Sequence, residues 1–87
     1  MYIKNAKITN PVGLHARPAT FLIQKANEFE SSIWLEKDDR RINAKSLLGV
    51  LSLGVAKNEE IKIIADGTDE ITAVDTLSEL ISSDFAE

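Results

Sequence analysis

The spacing of apolar residues changes several times along the chain, and these changes limit the folds it can adopt. In residues 2–8, Tyr2, Ala6 and Ile8 would lie on one face of an extended segment, because they are separated by even numbers of positions, which is typical of a strand. From Ala16 the apolar residues recur at three- and four-residue steps instead, which indicates an amphipathic helix that ends near residues 27–28. Strand patterns return over residues 32–36, 40–43 and 60–65.

Turn and capping residues place two further helices. Ser46 is suited to cap a short helix over residues 47–53, and Gly54 is suited to end it. We expect Leu47, Val50 and Leu51 to share a face of this helix. Thr68 is predicted to cap the last helix, whose apolar stripe consists of Ala73, Val74, Leu77 and Ile81.

The order of elements is therefore β-α-β-β-α-β-α, which indicates an α+β fold. Because each helix has one apolar face, the helices should cover one side of a single sheet and leave the other side in solvent. Ile3, Trp34 and Ile64 would then form an exposed apolar group on the open face. This group could support a dimer, but scattered surface apolar residues are common on monomers, and we expect a monomer.

Composition excludes several classes of function. With 87 residues the chain is expected to form one domain, residues 1–87, and the absence of cysteine excludes disulfides and thiolate metal sites. A net charge of −4 argues against nucleic acid as a partner. The sequence has neither an apolar run long enough to cross a membrane nor the apolar core of a signal peptide, so we expect a cytoplasmic protein without membrane insertion.

The stretch VGLHARPAT contains the only histidine, at the point where a loop is predicted to become a helix. His15 would occupy the N-cap, so that the backbone N–H groups of Ala16 and Arg17 lack helical partners and can donate to an anion. The helix dipole places partial positive charge at the same end, and the Arg17 guanidinium is suited to phosphate oxygens. These residues predict an anion site around an imidazole.

Gly13 and Pro18 are consistent with this site. Gly13 allows a close approach of the loop, and Pro18 stiffens the first helical turn where its missing N–H costs nothing. A neutral imidazole nitrogen can attack a phosphoryl donor and hold the group as a phosphoramidate. His15 is thus a candidate phosphoryl acceptor.

Simpler interpretations of the same histidine remain. A lone histidine is most often a surface or capping residue. No second histidine or cysteine completes a transition-metal site, so no metal is expected. A hydrolytic triad has little support, because Thr20 is the nearest following hydroxyl and no carboxylate lies close in sequence to orient the imidazole.

GLHARPAT, followed by AKSLLGVLSLGV, closely resembles HPr, the histidine-containing phosphocarrier family of the phosphoenolpyruvate:sugar phosphotransferase system, in its Gram-positive form. The resemblance extends over essentially the whole chain. It implies an open-faced β-sandwich, with an antiparallel four-stranded sheet in the order 1-4-2-3 and three helices on one face. It also implies a carrier rather than an enzyme, with no cofactor.

The resemblance assigns roles to particular residues. His15 would accept a phosphoryl group from phosphorylated Enzyme I and pass it to the IIA domains of sugar permeases, with Arg17 as its electrostatic partner. Ser46 would be phosphorylated by HPr kinase/phosphorylase, and that form would bind catabolite control protein A. The alternative for Ser46 is a helix cap alone.

A partner-binding surface is implied by Thr20, Leu47, Leu48 and Leu51. We expect at least Leu48 to be exposed near His15, although all three leucines could instead pack inward. Two alternative functions remain open. One is a purely regulatory HPr-like protein that acts through Ser46, and the other is an interaction module without phosphoryl chemistry.

Overall fold

A computed structural model describes residues 1–85 of the chain. It contains four strands and three helices in the predicted order. The strands are β1 (Tyr2–Lys7), β2 (Ser32–Lys37), β3 (Arg40–Asn43) and β4 (Glu60–Asp66), and the helices are α1 (Ala16–Ala26), α2 (Leu47–Leu53) and α3 (Glu70–Ser82).

The four strands form one antiparallel sheet in the order β1-β4-β2-β3. The central strand β4 pairs Ile64 with Ile3 on one side and with Trp34 on the other. This order confirms the open-faced β-sandwich of βαββαβα type that the resemblance implied. Within the described part of the chain, only β2 and β3 form a local hairpin, across the Asp38-Asp39 turn in which both residues have positive φ.

The hydrophobic core lies between the sheet and the three helices. β4 contributes alternate residues such as Ile61 and Ile63, and α1 contributes Ala19, Leu22 and Ala26, as its spacing predicted. The predicted stripe of α3 is likewise buried. Among residues 1–85, no helix is long and apolar enough to cross a membrane.

The buried face of α2 differs from the prediction. Val50 and Leu53 are the buried residues, whereas Leu47 and Leu51 are 39% and 37% exposed. A helix of two turns that lies at the edge of the layer has room for only a narrow buried stripe. Val50 and Leu53, which are three residues apart, fill this stripe.

The start of α3 also differs from the prediction, because Asp69 rather than Thr68 is the N-cap residue. The Asp69 side chain does not cap its own helix. It accepts hydrogen bonds from the backbone N–H of Glu30 at 2.9 Å, from the N–H of Ser31 at 3.0 Å and from the Ser31 hydroxyl. The carboxylate therefore joins the α1–β2 loop to the β4–α3 loop.

The open face of the sheet carries less exposed apolar surface than expected. Ile3, Ile64 and Trp34 lie side by side across three strands. Ile3 is 48% exposed, as expected, but Ile64 is only 1% exposed. Arg41 lies over the indole of Trp34, 5.9 Å from the ring centroid, and bonds Glu36 at 3.2 Å. Neighbouring side chains thus cover the centre of the apolar group.

Candidate functional site

His15 lies at the N-cap of α1, where the chain passes from an extended conformation into the helix. Its φ and ψ are −81° and −176°, and its carbonyl accepts the first helical hydrogen bond from the N–H of Ala19 at 2.9 Å. The imidazole makes no capping hydrogen bond and is exposed. Within residues 1–85 the N–H groups of Ala16 and Arg17 have no acceptor, so they remain able to bind an anion.

Positive charge beside these donors comes from Arg17. Its side chain is exposed and forms no ion pair with any carboxylate of residues 1–85. The first turn of α1 contains no acidic residue that would neutralise the partial positive charge at the N-terminal end of the helix. The described residues also contain no group of three or more side chains that could hold a metal ion. The site is thus suited to an anion that arrives from solvent.

Pro18 and Thr20 make the first turn of α1 rigid. Pro18 is buried, and the Thr20 hydroxyl donates to the carbonyl of Ala16 at 2.7 Å. The burial of Pro18 and the hydrogen bond of Thr20 both hold the backbone that carries the free N–H groups of Ala16 and Arg17.

The loop before His15 rests against the segment that follows α2. Gly13 has φ +66°, and a Cβ at this position would lie 2.5 Å from the carbonyl oxygen of Val55 and 3.0 Å from Cα of Ala56. The N–H of Leu14 donates to the same Val55 carbonyl at 2.9 Å. Gly13 therefore permits the close approach of two backbone segments, rather than the approach of a ligand.

Asn10 is a site residue that sequence reasoning missed. Its side chain is almost wholly enclosed, with 5% of the residue exposed, and Nδ2 donates to the carbonyl of Gly13 at 2.8 Å. The N–H of Gly13 donates to the Asn10 carbonyl at 3.2 Å, so the two residues close a turn. The Asn-Pro dipeptide signals a turn, but not the burial of the amide.

An ionic contact holds the segment behind the loop. Lys37 donates to Glu59 Oε1 at 2.9 Å and to the carbonyl of Gly54 at 3.1 Å, and the N–H of Ala56 donates to Glu59 Oε1 at 2.7 Å. The hydrogen bonds from Ala56 and Lys37 hold the pKa of Glu59 below its usual value. Together they fasten the turn after α2 to the β2–β3 hairpin.

Two clefts flank His15. The larger, about 990 Å³, lies between the start of α1 and the end of α3 and is bordered by Arg17, Phe21 and Phe85. The smaller, about 500 Å³, lies towards α2 and is bordered by Leu51 and Lys57. Both clefts are open to solvent, so the imidazole is accessible from either side.

Leu47, Leu48 and Leu51, here called the leucine patch, occupy the exposed side of α2. Leu48 is 80% exposed, and Leu51 borders the same cleft as His15. At the start of the helix, the hydroxyl oxygen of Ser46 accepts a hydrogen bond from the N–H of Gly49 at 3.1 Å. Leu51 is therefore the member of the leucine patch that shares a cleft with His15, and Ser46 precedes the patch at the N-terminal end of α2.

Comparison with known proteins assigns the fold and site to a family. A family model described as "PTS HPr component phosphorylation site" matches residues 3–83. The chain belongs to the HPr family. HPr is a phosphocarrier of the phosphotransferase system, and the family match therefore agrees with an accessible imidazole beside an anion-binding helix start.

Individual HPr relatives cover the whole chain. The phosphocarrier protein HPr of Treponema pallidum is 36% identical over all 87 residues and 99% of its own length. The crystal structure of HPr-C-His from Thermoanaerobacter tengcongensis is 46% identical with a TM-score of 0.97, over 100% of this chain and 98% of that one. The crystal structure of Crh, the Bacillus subtilis catabolite repression containing protein, described as a swapped, intertwined dimer, is 37% identical with a TM-score of 0.79 over both full lengths.

Proposed function

We propose that His15 of this HPr-family protein carries a phosphoryl group between proteins of the phosphotransferase system. The observation that supports this most directly is the exposed imidazole at the N-cap of α1, beside the N–H groups of Ala16 and Arg17, which have no acceptor within residues 1–85. A lone pair of an imidazole nitrogen forms the N–P bond as the bond from phosphorus to the donor breaks. The free N–H groups and the Arg17 guanidinium then balance the charge of the phosphoryl oxygens.

The proposed donor is phosphorylated Enzyme I, and the proposed acceptors are the IIA domains of sugar permeases in the cytoplasm. The open clefts on both sides of His15 support both acceptance of the phosphoryl group from a donor and its delivery to an acceptor, since neither partner has to unfold or reshape the loop to reach the ring. The protein is phosphorylated by the donor and dephosphorylated by the acceptor in each cycle, and it acts as a carrier rather than an enzyme. The leucine patch supplies the apolar contact for docking.

Incubation with phosphoenolpyruvate and Enzyme I tests this proposal. We expect an acid-labile adduct of one phosphoryl group, detected by intact mass and by the ³¹P chemical shift of a phosphohistidine. His15→Ala should abolish it, while Asn27→Ala, at the far end of α1, should retain it. An adduct that survives His15→Ala, or no adduct on the parent chain, contradicts the proposal.

A second role is proposed at Ser46, through HPr kinase/phosphorylase and catabolite control protein A. The Ser46 hydroxyl is partly exposed, and its oxygen already accepts from the N–H of Gly49. A phosphate there could accept the same hydrogen bond, so the start of α2 should tolerate it. The added charge beside the leucine patch would oppose docking of an acidic partner.

The kinase and ATP provide the test of the second role. An acid-stable adduct that Ser46→Ala removes, accompanied by slower phosphorylation of His15 by Enzyme I, is expected. A carrier with phosphorylated Ser46 that accepts phosphoryl groups from Enzyme I at the unmodified rate contradicts the proposed regulation.

We propose a monomer, against two dimeric relatives, the Crh dimer and a crystal structure described as an HPr dimer from Thermoanaerobacter tengcongensis. The support is the low exposure of Ile64 and the cover that Arg41 gives to Trp34, which leave Ile3, at 48% exposed, as the most exposed member of the apolar group on the open face. Sedimentation velocity at increasing concentration tests it. A single species at monomer mass is expected, and a dimer that grows with concentration contradicts it.

A further inference from the structure

We infer that Asn10 is a positioning residue for phosphoryl transfer, because its buried amide sets the conformation of the loop that carries His15. This inference rests on the proposed function and adds a residue that lies outside the GLHARPAT stretch. Asn10 touches neither the ring nor a transferred group in this role. It acts through Gly13 and Leu14.

The first support is the geometry of the turn. Asn10 makes two hydrogen bonds with Gly13, one from its side-chain Nδ2 to the Gly13 carbonyl at 2.8 Å and one from the Gly13 N–H to its own carbonyl at 3.2 Å. Within residues 1–85, no other side chain donates to the backbone of residues 10–14. Val12, inside the turn, has no polar side-chain atom and is 57% exposed.

The second support is the unpaired oxygen of the same amide. Oδ1 of Asn10 is buried and has no hydrogen-bond partner among residues 1–85. Among the described residues, Nδ2 is therefore the atom through which this amide makes its hydrogen bond, and that bond orients the Gly13 carbonyl.

The third support is the short path from that carbonyl to the ring. Gly13 packs closely against the segment after α2, since a Cβ at this position would lie 2.5 Å from the Val55 carbonyl oxygen, and the N–H of Leu14 donates to the same oxygen at 2.9 Å. Asn10 fixes the opposite side of the turn. With both sides held, the backbone enters the N-cap at His15 in one direction, so the ring and the N–H groups of Ala16 and Arg17 are aligned before a partner arrives.

The test compares the parent chain with Asn10→Ala, Asn10→Asp and Asn27→Ala. Asn10→Asp keeps the volume but replaces the donating Nδ2 by an oxygen that, when ionised, can only accept. Asn27→Ala is the matched control, because Asn27 Nδ2 also donates to a backbone carbonyl at 2.8 Å, that of Ile23 at the other end of α1. Measurements are ¹H–¹⁵N shifts of residues 13–17, the His15 ring shifts, the urea midpoint, and kcat and KM for phosphorylation by Enzyme I.

For both Asn10 variants we expect altered shifts at residues 13–17 and a kcat lowered about tenfold, with KM nearly unchanged because the leucine patch is not touched. The urea midpoint of Asn10→Ala should fall, because the Gly13 carbonyl loses its donor, so kcat is compared where both proteins are fully folded. Asn27→Ala should match the parent chain in kcat. If the Asn10 variants keep the parent kcat and loop shifts, or if KM rises while kcat stays constant, the inference is wrong. If the parent chain accepts no phosphoryl group, the proposed function fails, and the loop shifts alone decide whether Asn10 sets the loop.

Discussion

Substitution of Gly13 by alanine tests how closely the His15 loop is packed against the segment after α2. Gly13 has φ +66°, a conformation that costs an alanine about 1–2 kcal/mol relative to glycine. The new Cβ would also lie 2.5 Å from the Val55 carbonyl oxygen, so one of the two backbone segments has to move. Forced displacements of this kind typically cost a further ~1–3 kcal/mol.

Gly54→Ala separates these two costs. Gly54 has the same φ of +66°, but nothing lies within 4 Å of the position its Cβ would occupy. It should therefore show only the cost of the backbone conformation. The difference of about 1–3 kcal/mol between the variants corresponds to melting temperatures roughly 5–20 °C apart for a domain of this size.

The assay is thermal unfolding followed by far-ultraviolet circular dichroism, with urea unfolding as a second measurement. Gly13→Ala should also shift the amide resonances of Leu14 and Val55, whereas Gly54→Ala should leave both unchanged. Equal melting temperatures for the two variants would refute the close packing described here.

Three further outcomes follow from the site and the fold. Leu48→Ala should change the free energy of unfolding by less than about 0.5 kcal/mol but raise KM for phosphorylation by Enzyme I, because Leu48 is exposed. Leu22→Ala in the core should lower the free energy of unfolding by about 2–5 kcal/mol. Urea unfolding and transfer kinetics measure both variants. Hydrogen bonds from Ser31 and from the N–H of Glu30 hold the pKa of Asp69 below its usual value, so the stability it provides is present above that usual value and is lost as the pH falls through the lowered one. Asp69→Asn should therefore flatten the urea midpoint against pH on the acid side, and an unchanged acid slope would contradict this. Arg17→Ala should slow phosphorylation of His15 by about 10- to 100-fold without moving the melting temperature, because the guanidinium has no partner within residues 1–85.

Local features of the fold could be predicted from the sequence because their causes are local. The helix that begins at Ala16 has its apolar spacing and Pro18 in one short segment, and Ser46 caps α2 as expected. The strand order, in contrast, depends on contacts between distant parts of the chain. The pairing of Tyr2 with Ala65 joins residues far apart in the chain, and no local pattern indicates it, so the order came from the resemblance alone.

The same distinction explains what was missed at the site. Thr68 was predicted to cap α3, but Asp69 is the N-cap residue, and its carboxylate accepts hydrogen bonds from Glu30 and Ser31 in another loop. The Asn10-Pro11 dipeptide indicates a turn, but the burial of Asn10 depends on the packing around the loop, which the local sequence does not indicate. The exposure of Leu48 followed from helical geometry, because a two-turn helix on a sheet must leave one side in solvent.

The position of the leucine patch beside His15 has a consequence for the order of events in the cell. A typical docked protein covers about 800 Å² of its partner, roughly a sixth of the 4841 Å² surface of this one. A donor and an acceptor that both need the ring and Leu48 would compete for that sixth. The carrier would then have to leave the donor before it binds the acceptor, so an excess of unphosphorylated donor would slow transfer by occupying this shared surface.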